Sequence, residues 1–174
     1  GELCLANSAG TLAWSQSHGH WIRPGLALYG VSPIEQGRAE QHQLKAVMSF
    51  SSSVIAVRDV KQGDKVGYGG TWTAPADTRL AVVAVGYGDG YPRAASNGCP
   101  VLIKGQRYPI VGRVSMDMTT VDIGHADVQI GDEVVFWGAD LPVEEIAEQV
   151  QTIPYELLCN ITSRVEFRYL NAES

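Results

Sequence analysis

Val82-Val83-Ala84-Val85-Gly86-Tyr87-Gly88-Asp89-Gly90-Tyr91-Pro92-Arg93 is an apolar, largely β-branched run that breaks into three alternating glycines, two tyrosines and an Asp/Arg pair. A continuous apolar run of this kind reads as a buried strand, and glycines at such density mark backbone that takes positive φ or passes close to something. The stretch therefore reads as a strand delivering polar groups to a tight turn, which Asp89 and Arg93 are expected to order. It has the look of a phosphate loop, but Gly86, Gly88 and Gly90 make G-x-G-x-G rather than G-x-G-x-x-G, and no amphipathic helix follows.

The same punctuation continues on both sides. Ala46 to Arg58, Arg79–Tyr87, Cys99–Ile103, Tyr108–Val114, Thr119–Ile123 and Asp132–Trp137 read as strands, with turns at Lys61-Gln62-Gly63-Asp64, Lys104-Gly105 and Ile130-Gly131-Asp132. Lys65 to Gly70 reads as a returning strand and Ile161 to Tyr169 as a closing one. Short strands at regular spacing predict a mainly β fold, a β-barrel-like domain. One or two short helices interrupt it. Pro142 to Val150 carries Glu144 and Glu145 in its first turn and Val143, Ile146, Ala147 and Val150 on one face, and Pro154 to Leu158 is the shorter candidate.

The beginning of the chain has another character. Leu3 to Ala6 is a short apolar run, followed by Asn7-Ser8-Ala9-Gly10 and a brief helix over Thr11 to Ser17 capped by Ser8. Trp21 to Gly30 repeats the scheme, with Arg23 at its start and Pro24-Gly25 just inside. Two such α/β units cannot close a sheet by themselves, so they read as the tail of a larger α/β domain. Ser32 to Gln43 is a polar linker without periodicity. The expected division is residues 1–40, terminal α/β units plus linker, and residues 41–174, a C-terminal β domain.

Composition narrows the function classes. The 174 residues are 45% hydrophobic with a formal net charge of −6, which disfavours a nucleic-acid or membrane-surface partner. No apolar run reaches the ~18–20 residues that span a bilayer, and no basic n-region precedes an apolar stretch. Cys4, Cys99 and Cys159 have no paired spacing, which fits reduced thiols in a cytoplasmic protein. His18, His20, His42 and His125 are scattered without carboxylates at ligand spacing, so no metal site is expected. No G-x-S-x-G elbow supports a hydrolase nucleophile.

The tyrosines stand out. Tyr68 lies between Gly67 and Gly69-Gly70, and Tyr87 between Gly86 and Gly88. Either is readable as an aromatic covering its neighbouring glycines, and together they suggest one cavity wall. Arg113-Val114-Ser115-Met116-Asp117-Met118 places an Arg, a Ser and an Asp at a strand end beside two methionines. Core methionines next to a surface ion pair are the plain reading of that segment.

Six motifs nonetheless occur in the order and approximate spacing of one family: Ala6-Asn7-Ser8-Ala9-Gly10, Arg23-x-Gly25-x-Ala27-x-Tyr29-Gly30, Val66-Gly67-Tyr68-Gly69, Gly86-Tyr87-x-Asp89-Gly90-Tyr91, Gly112 to Asp117, and Tyr155-Glu156. On them the chain resembles the C-terminal portion of a pyridoxal-phosphate-dependent alanine racemase. The resemblance implies an N-terminal (β/α)8 barrel, here represented by its last units, followed by a β domain. It also implies interconversion of L- and D-alanine, a homodimer with active sites shared between subunits, and a cytoplasmic role in supplying D-alanine for peptidoglycan precursors.

Roles follow from the resemblance, residue by residue. Racemisation needs two bases flanking the cofactor plane. One is the lysine that holds the cofactor as an aldimine, and the other, a tyrosine given across the dimer interface, falls on Tyr68. A phenol titrates near pH ~10, so neighbouring positive charge or hydrogen bonding must favour its anion. Arg23 matches the arginine at the pyridine nitrogen, where a guanidinium can only donate. Ser8, the N–H groups of Gly25 and Leu26, and Tyr155 match the phosphate cradle. Met116 matches the residue whose N–H meets the substrate carboxylate, its side chain being packing. Tyr87 matches the inner gate of the entrance channel, with Arg93, Arg113 and Asp117 farther out. That narrow mouth favours alanine over larger amino acids.

The family's lysine motif, V-K-A-N-A-Y-G-H or similar, does not occur in these residues. Lys45, Lys61, Lys65 and Lys104 lie in linker or turn settings, so the 174 residues alone are expected neither to form an aldimine nor to racemise alanine. Two alternatives stand beside this reading: a serine or broad-specificity amino-acid racemase on the same scaffold, and a non-catalytic β-domain interaction module. A decarboxylase is disfavoured because its second catalytic residue is a cysteine, and no cysteine here stands in a comparable motif.

Overall fold

The computed structural model describes residues 1–34 and 39–170. In chain order the elements are α1 (Ser8–Ala13), α2 (Gly25–Leu28), β1 (Phe50–Val60), β2 (Lys65–Val66), β3 (Trp72–Thr73), β4 (Thr78–Val83), β5 (Pro100–Ile103), β6 (Gln106–Pro109), β7 (Thr119–Gly124), β8 (Glu133–Trp137), α3 (Val143–Gln149) and α4 (Pro154–Cys159). Six of the strands form one antiparallel sheet in the order β6-β5-β8-β1-β4-β7. Just past β6, Ile110 pairs with Val121 of β7, and Val111 N–H donates to the Thr120 carbonyl at 2.9 Å. That pairing brings the two edges together, so the sheet is a nearly closed barrel, as the mainly β expectation required.

Strand β1 makes the curvature possible. Its first residues pair with β8 and its later ones with β4, and the register slips between Val54 and Ala56. A one-residue slip bends a strand and re-aims its side chains. The interior is filled by alternate residues: Thr119, Val121 and Ile123 of β7 are buried while Thr120, Asp122 and Gly124 are only partly covered. Val54, Val83, Val101, Ile103 and Val134 complete this lining. An aromatic cluster extends the core, with ring centroids 4.6 Å apart for Tyr91–Phe136 and 4.7 Å for Phe50–Trp137.

Helix α3 buries Val143, Ile146 and Ala147 and begins with Glu144 and Glu145, acidic groups placed where helix amides are unpaired. Helix α4 starts on Pro154, whose missing N–H is not needed at that position, and buries Leu157. Both helices join the core cluster, as do Leu26 and Val31 from the first segment. No helix of the described residues is long and apolar enough to cross a membrane.

Four local expectations are corrected. The first helix starts at Ser8 and its cap is Asn7, whose side-chain oxygen accepts the Gly10 N–H at 2.9 Å; a separate 3-10 turn covers Ser15–Ser17. Asn7 wins because it stands one residue earlier and can reach the same orphan amide. Lys65 to Gly70 does not return to β1: β2 is two residues long and pairs with β3, after which Tyr68–Gly70 turns as a 3-10 segment. Gly67 at φ +78° is what breaks that strand. Ile161 to Tyr169 forms no strand; near its start Thr162 bonds to the turn at Gly88 and Asp89. The runs at Leu3 and Trp21 meet as a single parallel bridge, Asn7 to Arg23, because no further strand lies beside them among the described residues. The linker reading of Ser32 to Gln43 includes positions 35–38, which lie outside the described residues; Ala39–His42 is a 3-10 turn.

Candidate active site

The two tyrosine turns lean on one piece of backbone. A Cβ on Gly67 would lie 2.9 Å from the Arg113 nitrogen, and one on Gly112 would lie 3.2 Å from the Val66 carbonyl oxygen, so these turns touch main chain to main chain. The second turn rests farther along: Tyr87 N–H donates to the Ser115 carbonyl at 3.0 Å and Gly88 N–H to the Met116 carbonyl at 2.9 Å. Gly86 is buried and admits no side chain there. The alternating glycines thus serve close approach, and Gly90, at φ +102°, lets the chain turn against Asn160.

Carried on this frame, Tyr68 is 71% exposed and Tyr87 45%. Neither hydroxyl has a hydrogen-bond partner among the described residues. Met116 and Met118 are also half-exposed, which replaces the core-methionine reading. The Met116 N–H has no protein acceptor among the described residues, so it remains available as a donor.

Arg164, which sequence reasoning did not single out, joins these pieces. Its Nε lies 3.3 Å from Asp89 Oδ1 and its Nη2 2.6 Å from Asp117 Oδ1. The Asp117 hydrogen bond, and after it the Asp89 charge, hold the guanidinium further toward its charged form. Asp89 in turn accepts the Gly86 N–H at 2.9 Å. The expectation that Arg93 orders this turn is corrected: Arg93 is exposed, and the arginine on Asp89 is Arg164. Arg113 is likewise exposed, and neither side chain makes a hydrogen bond or ion pair among the described residues. No local signal marked Arg164, since its two carboxylates are distant in sequence.

A second group gathers around α1, α2 and α4. Ser8 is fully buried; its hydroxyl donates to the Pro24 carbonyl and accepts from Ala27 N–H at 3.1 Å, tying α1 to α2. Gly25 and Leu26 open α2, where amides lack intrahelical acceptors, and a Cβ on Gly25 would meet nothing within 4 Å. Leu26 and Tyr155 line one cleft of about 850 Å³, which Glu144 and Glu148 also border. Tyr155 is 40% exposed. Arg23 is exposed, with its Nη2 donating to the Leu5 carbonyl at 3.4 Å as its one side-chain hydrogen bond among the described residues. No hydrogen bond or ion pair links this group to the tyrosine turns among the described residues. No cluster of three or more His, Cys, Asp or Glu capable of holding a metal ion occurs among them either.

Comparison with known proteins supports a single family. The profile described as Alanine racemase, C-terminal domain, matches residues 47–169, and that of Alanine racemase, N-terminal domain, matches residues 1–33. An alanine racemase of Aeromonas hydrophila is 57% identical over 171 residues, covering 98% of this chain and 48% of that protein. One of Vibrio cholerae is 56% identical, covering 99% and 48%. Among solved structures, the biosynthetic alanine racemase of Pseudomonas aeruginosa is similar with a TM-score of 0.92 at 45% identity, over 95% of this chain and 47% of that one. The alanine racemase of Bartonella henselae, solved with covalently bound pyridoxal phosphate, has a TM-score of 0.88 at 35% identity, over 97% and 47%. The chain spans about half the length of the curated relatives it matches.

Proposed function

This chain belongs to the alanine racemase family, and from that premise we propose that it forms part of an enzyme that interconverts L- and D-alanine with pyridoxal phosphate. The observation that carries the reading is Tyr68: a phenol 71% exposed on its own chain, fixed at its base by the Gly67–Gly112 contact and without a hydrogen-bond partner among the described residues. A base that serves a site completed by a second subunit needs this outward projection. The protein is accordingly proposed to act as a homodimer, in the cytoplasm, where its three free thiols are stable.

The donor set around α2 fits the cofactor. The open backbone at Gly25, the Leu26 N–H beside it and the Tyr155 hydroxyl would offer neutral donors to a phosphate dianion, and the Arg23 guanidinium could only donate to a ring nitrogen. The Ser8 hydroxyl, buried between the Pro24 carbonyl and the Ala27 N–H, ties α1 to α2 and would have to give up the Pro24 bond to donate to a phosphate. Pyridoxal phosphate held there would supply an electron sink for the substrate's Cα. Tyr68 Oη holds or moves the proton at Cα on one face, and the Met116 N–H binds the substrate carboxylate. Tyr87 narrows the approach, with Arg93, Arg113 and Asp117 farther out, so that a methyl side chain passes and larger ones are disfavoured.

No lysine of these 174 residues stands in the family's motif, so we assign the second base outside them and propose that the 174 residues alone do not racemise alanine. The domain division at residue 40 is part of the same proposal. The test is D-alanine formation by the encoded protein with Tyr68→Phe. A fall of roughly 10²–10⁴-fold is expected for loss of a general base. Retained activity in that variant would sink the assignment of Tyr68.

A further inference from the structure

We propose that Arg164 is a positioning residue that locks the Tyr87 turn to the Met116–Asp117 backbone and so sets the shape of the substrate entrance. The inference rests on the racemase reading above.

Three segments far apart in sequence meet at this side chain. Its Nε faces Asp89 of the tyrosine turn at 3.3 Å and its Nη2 faces Asp117 beyond Met116 at 2.6 Å. A Cβ on Gly88 would collide with Nη1, so the guanidinium lies against the turn backbone at Gly88. Neighbouring bonds point the same way: Thr162 Oγ1 donates to the Gly88 carbonyl at 2.8 Å, and Thr162 N–H donates to the Asp89 carbonyl at 3.2 Å. The segment after α4, the helix carrying Tyr155, therefore closes over a turn whose own amides at Tyr87 and Gly88 are bonded to Ser115 and Met116.

Geometry decides what this arrangement does. A planar guanidinium with two separate N–H directions holds two carboxylates at a fixed angle, which a lysine point charge does not. The Met116 N–H and the Tyr87 ring sit on the two backbones so clamped. Releasing the clamp loosens both without touching either group. Lost ground-state binding raises KM more than it lowers kcat, and a looser mouth discriminates less against side chains larger than methyl.

The test compares Arg164→Ala, Arg164→Gln and Arg164→Lys in the encoded protein reconstituted with pyridoxal phosphate. Expected is a KM for alanine raised about fivefold or more with kcat within about twofold, a higher serine-to-alanine ratio of kcat/KM, and no rescue by lysine. Faster hydrogen exchange at the Tyr87 and Gly88 amides is expected in parallel, and it is read without turnover. A lowered melting temperature with unchanged KM and unchanged exchange at those amides would make Arg164 structural only and overturn the proposal. Full rescue by lysine would overturn it too. If the Arg164 variants do not fold, Thr162→Val, which removes one bond of the same seam, is measured for the same KM and exchange changes, and their absence counts against the proposal. Failure of the unmodified protein to racemise alanine sinks the racemase reading instead, which keeps the two outcomes apart.

Discussion

A Cβ placed on Gly86 would lie closer than 3.0 Å to the carbonyl carbon and oxygen of Met116, so the turn that follows the β4 run rests directly on the backbone proposed to receive the substrate. Contact this close couples a substitution at one position to the placement of the other.

Gly86 has φ −145° and ψ −168°, extended backbone that alanine adopts without strain. Any effect of Gly86→Ala is therefore steric, and overpacking of this kind costs about 1–3 kcal/mol. A lowered denaturation midpoint together with a raised KM for alanine is expected. An unchanged midpoint would show that the two backbones separate easily and that the coupling is weak.

Tyr91 should separate ring packing from its hydroxyl. The ring packs among Phe50, Phe136 and Trp137, whereas the hydroxyl's one hydrogen-bond partner among the described residues is Cys99 Sγ, at 3.6 Å. Tyr91→Phe is expected to change stability by less than about 1 kcal/mol, and Tyr91→Ala to lose about 3–5 kcal/mol. Equal losses in the two variants would place the stabilisation in the hydroxyl instead.

Acid should release one clamp on the barrel. The Asp132 carboxylate accepts from Lys104 at 2.9 Å and from Gln129 N–H at 2.7 Å, and the Lys104 hydrogen bond, first among these causes, holds it below its ordinary value of 3.8. A carboxyl depressed in the folded state contributes stability that is present above 3.8 and lost as pH falls through the folded value. Asp132→Asn should therefore flatten the fall in melting temperature between about pH 5 and pH 2 relative to the parent. A parallel fall in both proteins would exclude the clamp as a contributor.

Thiol chemistry gives a direct check on burial. Cys4 and Cys159 are exposed, whereas Cys99 is 2% exposed and burial pushes its thiol pKa up. An aromatic disulfide reagent should modify the first two rapidly and the third only on unfolding, because the thiolate is the reacting form. Rapid reaction of all three in the native protein would contradict the packing around Tyr91.

Much of the fold was readable because it is written locally. Strands β1, β4, β5, β7 and β8 and helices α3 and α4 lie within a few residues of where apolar periodicity and turn residues placed them, since side-chain alternation and the φ demands of glycine act over neighbouring positions. The errors fell where pairing is non-local. Lys65–Gly70 carried a strand pattern that glycine geometry cut to two residues, and Ile161 to Tyr169 alternated convincingly but found no strand to bond with. Tyr68 and Tyr87 were visible as site candidates because they sit between glycines, and Arg164 was not, because nothing beside it differs from an ordinary charged tail.

By itself, the sequence determined the mainly β character, the positions of the tight turns and, through six motifs in order, the family. Only the tertiary structure decided that the turns at Gly67 and Gly86 share the Gly112–Met116 backbone, and that Asp89 answers to Arg164 rather than to Arg93, four residues away. Arg164 and Asp117 are 47 residues apart, and along the chain neither differs from other exposed residues of its own type. Which carboxylate an arginine meets depends on how a sheet closes, and closure is a property of the whole barrel.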